Sequence, residues 1–515
     1  MGNSESHSMQ GVWQSQFSAE EQTFLGDLFK VMCGSNTTEE TKGGKAPKQQ
    51  LTLSMLKAYI DGAVTGRMII RMYNGMRNIH PMKKSNVADS VSKKQFLSFL
   101  YYTMRGCVEE RSFVVQHMIS SEPDSLVTGR QVKEFTEDMI VSVIHLLNEE
   151  KMLMGWSLEK TGDCILGTSR LTAYLMAELK AKEFSSDKTN MERFLDNLEI
   201  PTLEPEEVEN LDRALGQEEI NNAIMAMQSG EDLSVEHLQT VELGQDALKD
   251  WMCRASLIVS FLHALVALAL HLTKSEYQGE LFNPNQMLPL CLGIEYSGIF
   301  TVLDIPSVIY LKPNLPSRNQ RQWKLLFSSQ AHGESFSRLS TQIIHKGPTL
   351  LVVKDSLGHI FGGFASCSWE LKPQFQGDSR CFLFTLNPKL GIYSCTGYNE
   401  HYMYLNVGQQ TMPNGLGMGG QHNYFGLWID SNYGKGHSKA KPRCTTYNSP
   451  QLSAEEHFTI DTMEVWMVGN LPASDLSKTK SVLDTDPEAQ ALLEMIGKTR
   501  VSDGLRDPGG DEEKE

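Results

Sequence analysis

The sequence predicts an α+β protein: a helical, EF-hand-like N-terminal region, then an antiparallel β domain with flanking helices, then a C-terminal helix. Three observations carry this. Apolar residues recur at helical spacing in FLGDLFKVM, LSMLKAYI, KKQFLSFLYYTM and VKEFTEDMIVSVIHLL, all within residues 17–154. From about residue 300 the texture changes to short strand-like runs, QWKLLFSS, TLLVVKD, IFGGFASCSW, CFLFTL, YMYLN, YFGLWI and MEVWMVG, separated by Gly, Pro and Asn turns. Near the end, DPEAQALLEMIG carries helix signals at both ends.

The first segment, residues 1–16, opens MGNSES, which presents Gly2 and Ser6 as the N-myristoylation pattern requires. Gly2 is therefore the expected lipidation site. One myristoyl chain binds bilayers with a partition constant of only about 10⁴ M⁻¹, so stable anchoring needs a second contact. No basic cluster follows. The second contact falls to a protein partner, to a palmitoylated cysteine such as Cys33, or to a distant surface.

Residues 17–154 form the helical region. NVADSVSKKQFLSFL and PDSLVTGRQVKEFTEDMI follow the helix, loop and short apolar segment order of EF-hand pairs. A calcium loop ends on a bidentate Glu. Here Gln95 and Gln131 stand at that place, so these are expected to be packing modules that hold no metal. Residues 155–299 are a helical linker, acidic at EIPTLEPEEVENLDRALGQEE, with core helices. Within it, Ala255 to Thr273 is apolar over roughly 28 Å of helix, close to the thickness of a bilayer core. His263, His271 and the polar flanks favour a buried helix over a membrane span.

The β domain is assigned to residues 300–470, with GESFSRLSTQII as a helix after its first strand. Residues 471–515 are a linker, a short helix and an acidic tail. In that helix Asp486 caps the free N–H groups, Pro487 suits the first turn and Gly497 the stop. Ala489, Leu492, Leu493 and Ile496 form one apolar stripe. A helix this short does not persist alone in water, so the stripe must dock, either on the chain's own β domain or in a partner's groove. Leu492, Leu493 and Ile496 are the expected partner-binding residues.

Composition narrows the function. The 515 residues are 40% hydrophobic and 21% charged, ordinary globular values. A net charge of -16 without a basic stretch argues against nucleic-acid binding. The 9 cysteines are scattered and never spaced C-x-x-C, as expected of reduced cytosolic thiols, and no apolar leader precedes them. A thiol enzyme could pair Cys367, Cys381 or Cys395 with His401, His422 or His437. Two of those thiols, Cys367 and Cys381, sit in apolar strand patterns, where cysteine serves as a small hydrophobe.

GLGMGGQHNYFGLWID, residues 415–430, contains G-x-G-x-x-G at Gly415, Gly417 and Gly420. A dinucleotide site needs a strand before those glycines and a helix after them. Neither is read here. The glycines are expected to form a tight loop leading into a strand, and no cofactor is expected.

Six blocks occur in the order of the TLDc-domain family: WKLLFSSQAHGESFSRL, FGGFASCSW, FLFTL, GYNEHYMYLN, GLGMGGQHNYFGLWID, and TTYNSPQLS followed by MEVWMVG. This part of the chain resembles that family over about a third of its length. With the Met-Gly start and EF-hand-like helices, the whole chain is similar to the myristoylatable TLDc proteins associated with mTOR signalling at lysosomes. The resemblance implies a non-enzymatic adaptor or regulator, cytoplasmic and peripheral on the lysosomal membrane. Its implied partners are the V-type proton ATPase and mTOR signalling components, with a link to oxidative-stress resistance. It implies no catalytic residue. The alternative is a thiol-dependent antioxidant or hydrolytic enzyme using Cys367, Cys381 and Cys395.

Overall fold

The structure, a computed structural model, describes residues 16–34, 49–60, 62–79, 90–120, 125–179, 241–272, 287–294 and 300–470. Gly2, Leu492, Leu493 and Ile496 lie outside them. The chain divides into two compact units, one of residues 1–290 and 303–312, the other of residues 291–302 and 313–515.

The first unit is helical, as the spacing predicts. Helix α1 (Ala19–Met32) is followed by strand β1 (Gln50–Leu51), α2 (Leu53–Ile60), α3 (Gly66–Asn78), β2 (Val91–Ser92) and α4 (Lys93–Met104). Then come α5 (Val108–Ile119), β3 (Val127–Thr128), α6 (Gly129–Glu149), α7 (Cys164–Ala177), β4 (Glu242–Leu243), α8 (Gln245–Arg254) and α9 (Ser256–Ala269). β1 pairs antiparallel with β2, and β3 with β4. Two-residue ladders of this kind resemble those between paired EF-hand loops, and the second ladder links chain on either side of residue 154. Each short strand leads into a helix, and the residue four positions after the paired apolar one is Met55, Gln95, Gln131 or Ala247.

The glutamines have a different task. Gln95 Oε1 accepts from the Ser92 N–H at 2.9 Å while its Nε2 donates to the Arg77 carbonyl at 2.8 Å. Gln131 Oε1 likewise accepts from the Thr128 N–H at 2.8 Å. Both close capping boxes that satisfy free amides at the helix starts.

Of the apolar stretch at 255–273, the described residues 255–272 are mostly buried but do not form one continuous helix. α9 ends at Ala269, and His271 leaves helical geometry with φ +53. At its start, Ala255 has ψ 68 and serves as the end of α8 as well as the start of α9, so the two helices meet at 98°. No single helix among the described residues is long and apolar enough to cross a membrane. Ile258, Phe261, Leu262 and Leu265 of α9 are fully buried. Burial also explains His263, whose ring is held down to about 4, chiefly by desolvation.

A last helix of this unit, α10 (Ile305–Leu311), packs on α7. Its N-cap, the buried Asp304, accepts from the Ser307 N–H at 2.7 Å and is ion-paired with Arg170. Burial raises the Asp304 carboxyl, and Arg170 opposes that rise. Gly167 leaves the room: a Cβ there would stand 2.5 Å from the Asp304 carboxyl carbon.

The second unit is built on a 12-stranded antiparallel sheet. Its strands are β5 (Leu290–Leu292), β6 (Gln322–Ser328), β7 (Thr349–Asp355), β8 (Ile360–Ala365), β9 (Lys372–Gln376), β10 (Phe382–Asn387), β11 (Gly391–Ser394), β12 (Met403–Asn406), β13 (Gly415–Gln421), β14 (Tyr424–Asp430), β15 (Lys435–His437) and β16 (His457–Val468). The order is β11-β10-β8-β7-β16-β15-β14-β13-β12-β9, with β6 joined to β16 and β5 to β6. Two short helices, α11 (Ser329–His332) and α12 (Phe336–Ile343), follow β6.

The 12-residue strand β16 serves both halves of this sheet, pairing with β7 and β6 through one stretch and with β15 through His457–Thr459. The halves share one core, with Leu351, Val353 and Leu383 from one side and Leu405, Leu416, Met418 and Leu427 from the other. Glu464 on β16 is fully buried. Its carboxylate accepts from Thr301 Oγ1 at 2.7 Å, the Val302 N–H at 2.8 Å and Trp466 Nε1 at 3.0 Å, which pins residues 301–302 to the sheet.

Candidate functional site

The glycine stretch is a strand rather than a loop, which corrects the sequence reading. Gly415 pairs with Asp430, Gly417 with Trp428 and Gly420 with Phe425, and the hairpin turn is His422-Asn423. Glycine is disfavoured in strands on propensity grounds, so pattern reasoning reads the run as a loop. The neighbours explain it. A Cβ on Gly417 would lie 2.6 Å from Phe425 Cδ1 and 2.9 Å from Trp428 Cε3. The bare strand is the floor on which those two rings stack, with centroids 4.5 Å apart at 21°. Gly419 and Gly420, at φ +72 and +80, break the alternation of β13. There is no phosphate-cradling turn and no helix after it.

Around the stack, Phe375 lies between the imidazoles of His401, stacked at 4.1 Å, and His422, stacked at 5.0 Å. Tyr404 adds a further ring, donating its hydroxyl hydrogen to the Pro413 carbonyl at 2.9 Å. Desolvation lowers His422, and it lowers His437, which stacks on Trp428 at 6.0 Å, to about 4. Both rings are therefore neutral at physiological pH.

The thiols turn elsewhere. Cys367 Sγ lies 3.8 Å from Met403 Sδ, Cys381 Sγ lies 3.2 Å from Ser366 Oγ, and Cys395 donates to the Ser379 carbonyl at 3.2 Å. Burial pushes Cys367 up to about 11 and also raises Cys381. A nucleophilic cysteine needs the opposite shift, produced by a neighbouring cation or helix N-terminus. Structure thus brings His401 and His422 together around an aromatic ring, while these three thiols face sulfur, hydroxyl and carbonyl partners.

One surface feature escaped the sequence reading. Tyr398 is 80% exposed, yet it sits on a loop braced from several directions. The Thr396 N–H donates to the Thr446 carbonyl at 2.8 Å, and Thr396 Oγ1 donates to the Thr445 carbonyl at 2.7 Å. Asn399 Oδ1 accepts from Thr446 Oγ1 at 2.7 Å and from the His401 N–H at 3.1 Å. Thr446 Oγ1 in turn accepts from the Gly420 N–H at 2.8 Å, and His401 Nδ1 donates to the Gly420 carbonyl at 2.6 Å. Gly397, at φ +76 with open space around it, makes the turn. The glycine strand therefore anchors the loop that presents Tyr398. An aromatic side chain held out on a rigid loop loses little entropy when a partner covers it, which is the physics of an interface anchor. In the sequence only the Gly-Tyr-Asn turn of GYNEHYMYLN marks the place.

Braced loop, shared core and block order define a TLDc-domain protein, and residues 300–469 match the TLDc domain model. Relatives extend the likeness to the whole chain. It is 45% identical over 517 residues to MTOR-associated protein MEAK7 of Gallus gallus, covering 100% of this chain and 99% of the relative. It is 39% identical over 514 residues to the Homo sapiens protein of the same name, covering 99% and 100%. The chain belongs to the MEAK7 family. Nuclear receptor coactivator 7 of Mus musculus shares 31% identity over 158 residues, 30% of this chain and 16% of that protein.

Proposed function

We propose that this chain is a non-enzymatic regulator linked to mTOR signalling, an adaptor that binds the V-type proton ATPase at the cytosolic face of the lysosomal membrane. Its full-length relatives bear the name MTOR-associated protein. In this reading myristoylated Gly2 and the apolar stripe of Leu492, Leu493 and Ile496 supply further contacts. The observation that carries a binding role is the braced loop with its exposed Tyr398, while burial in the same unit raises Cys367 and Cys381 and lowers His422 and His437. The test is affinity capture from lysosomal membranes followed by mass spectrometry. Wild-type chain should recover V-type ATPase subunits. Tyr398→Ala should reduce recovery at least tenfold, with unchanged melting because the side chain packs on little of its own fold. Equal recovery by the variant removes the loop from the interface, and no ATPase recovery with wild type overturns the reading. Enzymatic activity lost on combined Cys367, Cys381 and Cys395 substitution, with the fold intact, would favour a thiol enzyme instead.

A further inference from the structure

We propose that a groove between α6 and α7 of the helical unit receives the myristoyl chain of Gly2, so that the protein carries a built-in store for its own membrane anchor. This rests on acylation of Gly2 as proposed above.

The groove has a volume of about 430 Å³, with Val141 and Ile144 of α6, Leu158, and Ile165 of α7 along its apolar walls. Fourteen carbons at the packing density of a protein interior need roughly 400 Å³. The rim is mixed: the exposed Arg67 and His145 and the partly exposed Glu137 stand on it beside Ile165, with Leu166 next to Ile165 on the surface. Ile165 is 79% exposed and Leu166 58% exposed, adjacent in the first turn of α7. That turn is fixed by Asp163, which accepts from both their N–H groups at 2.9 and 3.2 Å.

At the other end stand Thr65 and the ion pair of Arg67 with the buried Asp138, 2.8 Å apart. Arg71 approaches the second Asp138 oxygen at 3.5 Å. The Asp138 carboxylate is thus compensated, and the groove offers an acyl chain an aliphatic strip of Val141, Ile144, Leu158 and Ile165, bordered by polar Glu137, His145, Thr168 and Ser169.

Reach is sufficient. The first described residue is Gln16. The chain between it and Gly2 spans up to roughly 45–50 Å when extended. That equals about the diameter of a unit of this size.

A stored chain competes with the bilayer. A free myristoyl group partitions at about 10⁴ M⁻¹. A stored one binds more weakly by the factor with which the groove holds it. Whatever opens the groove, or a partner that covers Ile165 and Leu166, releases the anchor.

The test uses the full chain co-expressed with N-myristoyltransferase, its acyl mass verified, sedimented with neutral phosphatidylcholine vesicles. Acylated wild type should bind at least tenfold more weakly than the free-chain value. Ile165→Asp, at an exposed position that leaves the fold intact, and Val141→Trp, which fills the slot, should each raise binding to about 10⁴ M⁻¹. Gly2→Ala versions should not bind. Acylated wild type binding at the free-chain level, unchanged by Ile165→Asp, overturns the groove while leaving acylation standing. Groove variants that change binding equally in the Gly2→Ala background show a different occupant and also overturn it. An unmodified Gly2 in the mass spectrum removes the acylation reading itself, and the store with it.

Discussion

Placing a single methyl group on Gly417 tests the account of the glycine strand. Nothing about the Gly417 backbone forbids alanine, because its φ is not in the left-handed region. The obstacle is steric. The new Cβ would lie 2.6 and 2.8 Å from two atoms of Phe425 and 2.9 Å from Trp428. Carbon atoms prefer about 3.5–4.0 Å, so the rings must retreat by about 1 Å. Phe425 is fully buried and Trp428 nearly so, leaving little room to retreat. Overpacking of this kind costs about 1–3 kcal/mol, and a disturbed aromatic stack up to about 1.5 kcal/mol more. Against this, the alanine restricts the unfolded chain, a gain of about 0.4–1 kcal/mol. The net expectation is a loss of about 2–3 kcal/mol, or roughly 5–10 °C in the melting of a unit this size.

Urea unfolding of the full chain, followed by tryptophan fluorescence, measures it. Phe425→Leu should be costly alone yet relieve Gly417→Ala in the double variant, with a coupling of about 1 kcal/mol or more. A Gly417→Ala protein within about 0.5 kcal/mol of wild type, uncoupled from Phe425, refutes the reasoning. So would a melting rise on adding a dinucleotide that Gly417→Ala abolishes.

His437 makes the β unit acid-sensitive. Its ring falls from the ordinary 6.5 to about 4 because burial disfavours the charged form, so its stabilisation is full above pH 6.5 and is lost as pH falls toward 4. The loss from this group is about 2 kcal/mol by pH 5, and His437→Phe should flatten the urea midpoint between pH 7 and pH 5; an unchanged slope refutes the assignment. Cys367 and Cys381 should alkylate at less than about a tenth of the rate of the exposed Cys253 in the native chain, measured by iodoacetamide labelling and peptide mass mapping, and a fast Cys367 would reopen thiol chemistry. Replacing Leu492 and Leu493 together by Asp puts two charges into whatever groove receives the C-terminal stripe, a penalty of several kcal/mol. ATPase capture should fall, with the melting of the β unit falling too if the groove is its own; no change in either leaves the stripe without a role.

Local pattern determined much of this protein. Helical spacing located α1, α2, α4 and α6, though not α3 and α5, and strand texture located β6 to β8, β10, β12, β14 and β16. These features depend on neighbours within a few residues, and so they are legible in a string. What the string left open depends on residues far apart. Pairing of Val127–Thr128 with Glu242–Leu243 joins segments more than a hundred residues apart. The bend at Ala255 turns the apolar run away from the polar α8 before it, since α8 packs on α5 and α9 on α6. Gly417 looks like a loop residue until Phe425 and Trp428 are laid across it. Cys381 and His401 look like potential partners until burial gives the thiol a hydroxyl and the imidazole a carbonyl. Exposure of Tyr398 is set by Thr445 and Thr446, which brace its loop from the segment between β15 and β16. Period and propensity are short-range properties; close approach, desolvation and bracing arise only when distant segments meet, and in this chain those decide which residues are left facing a partner.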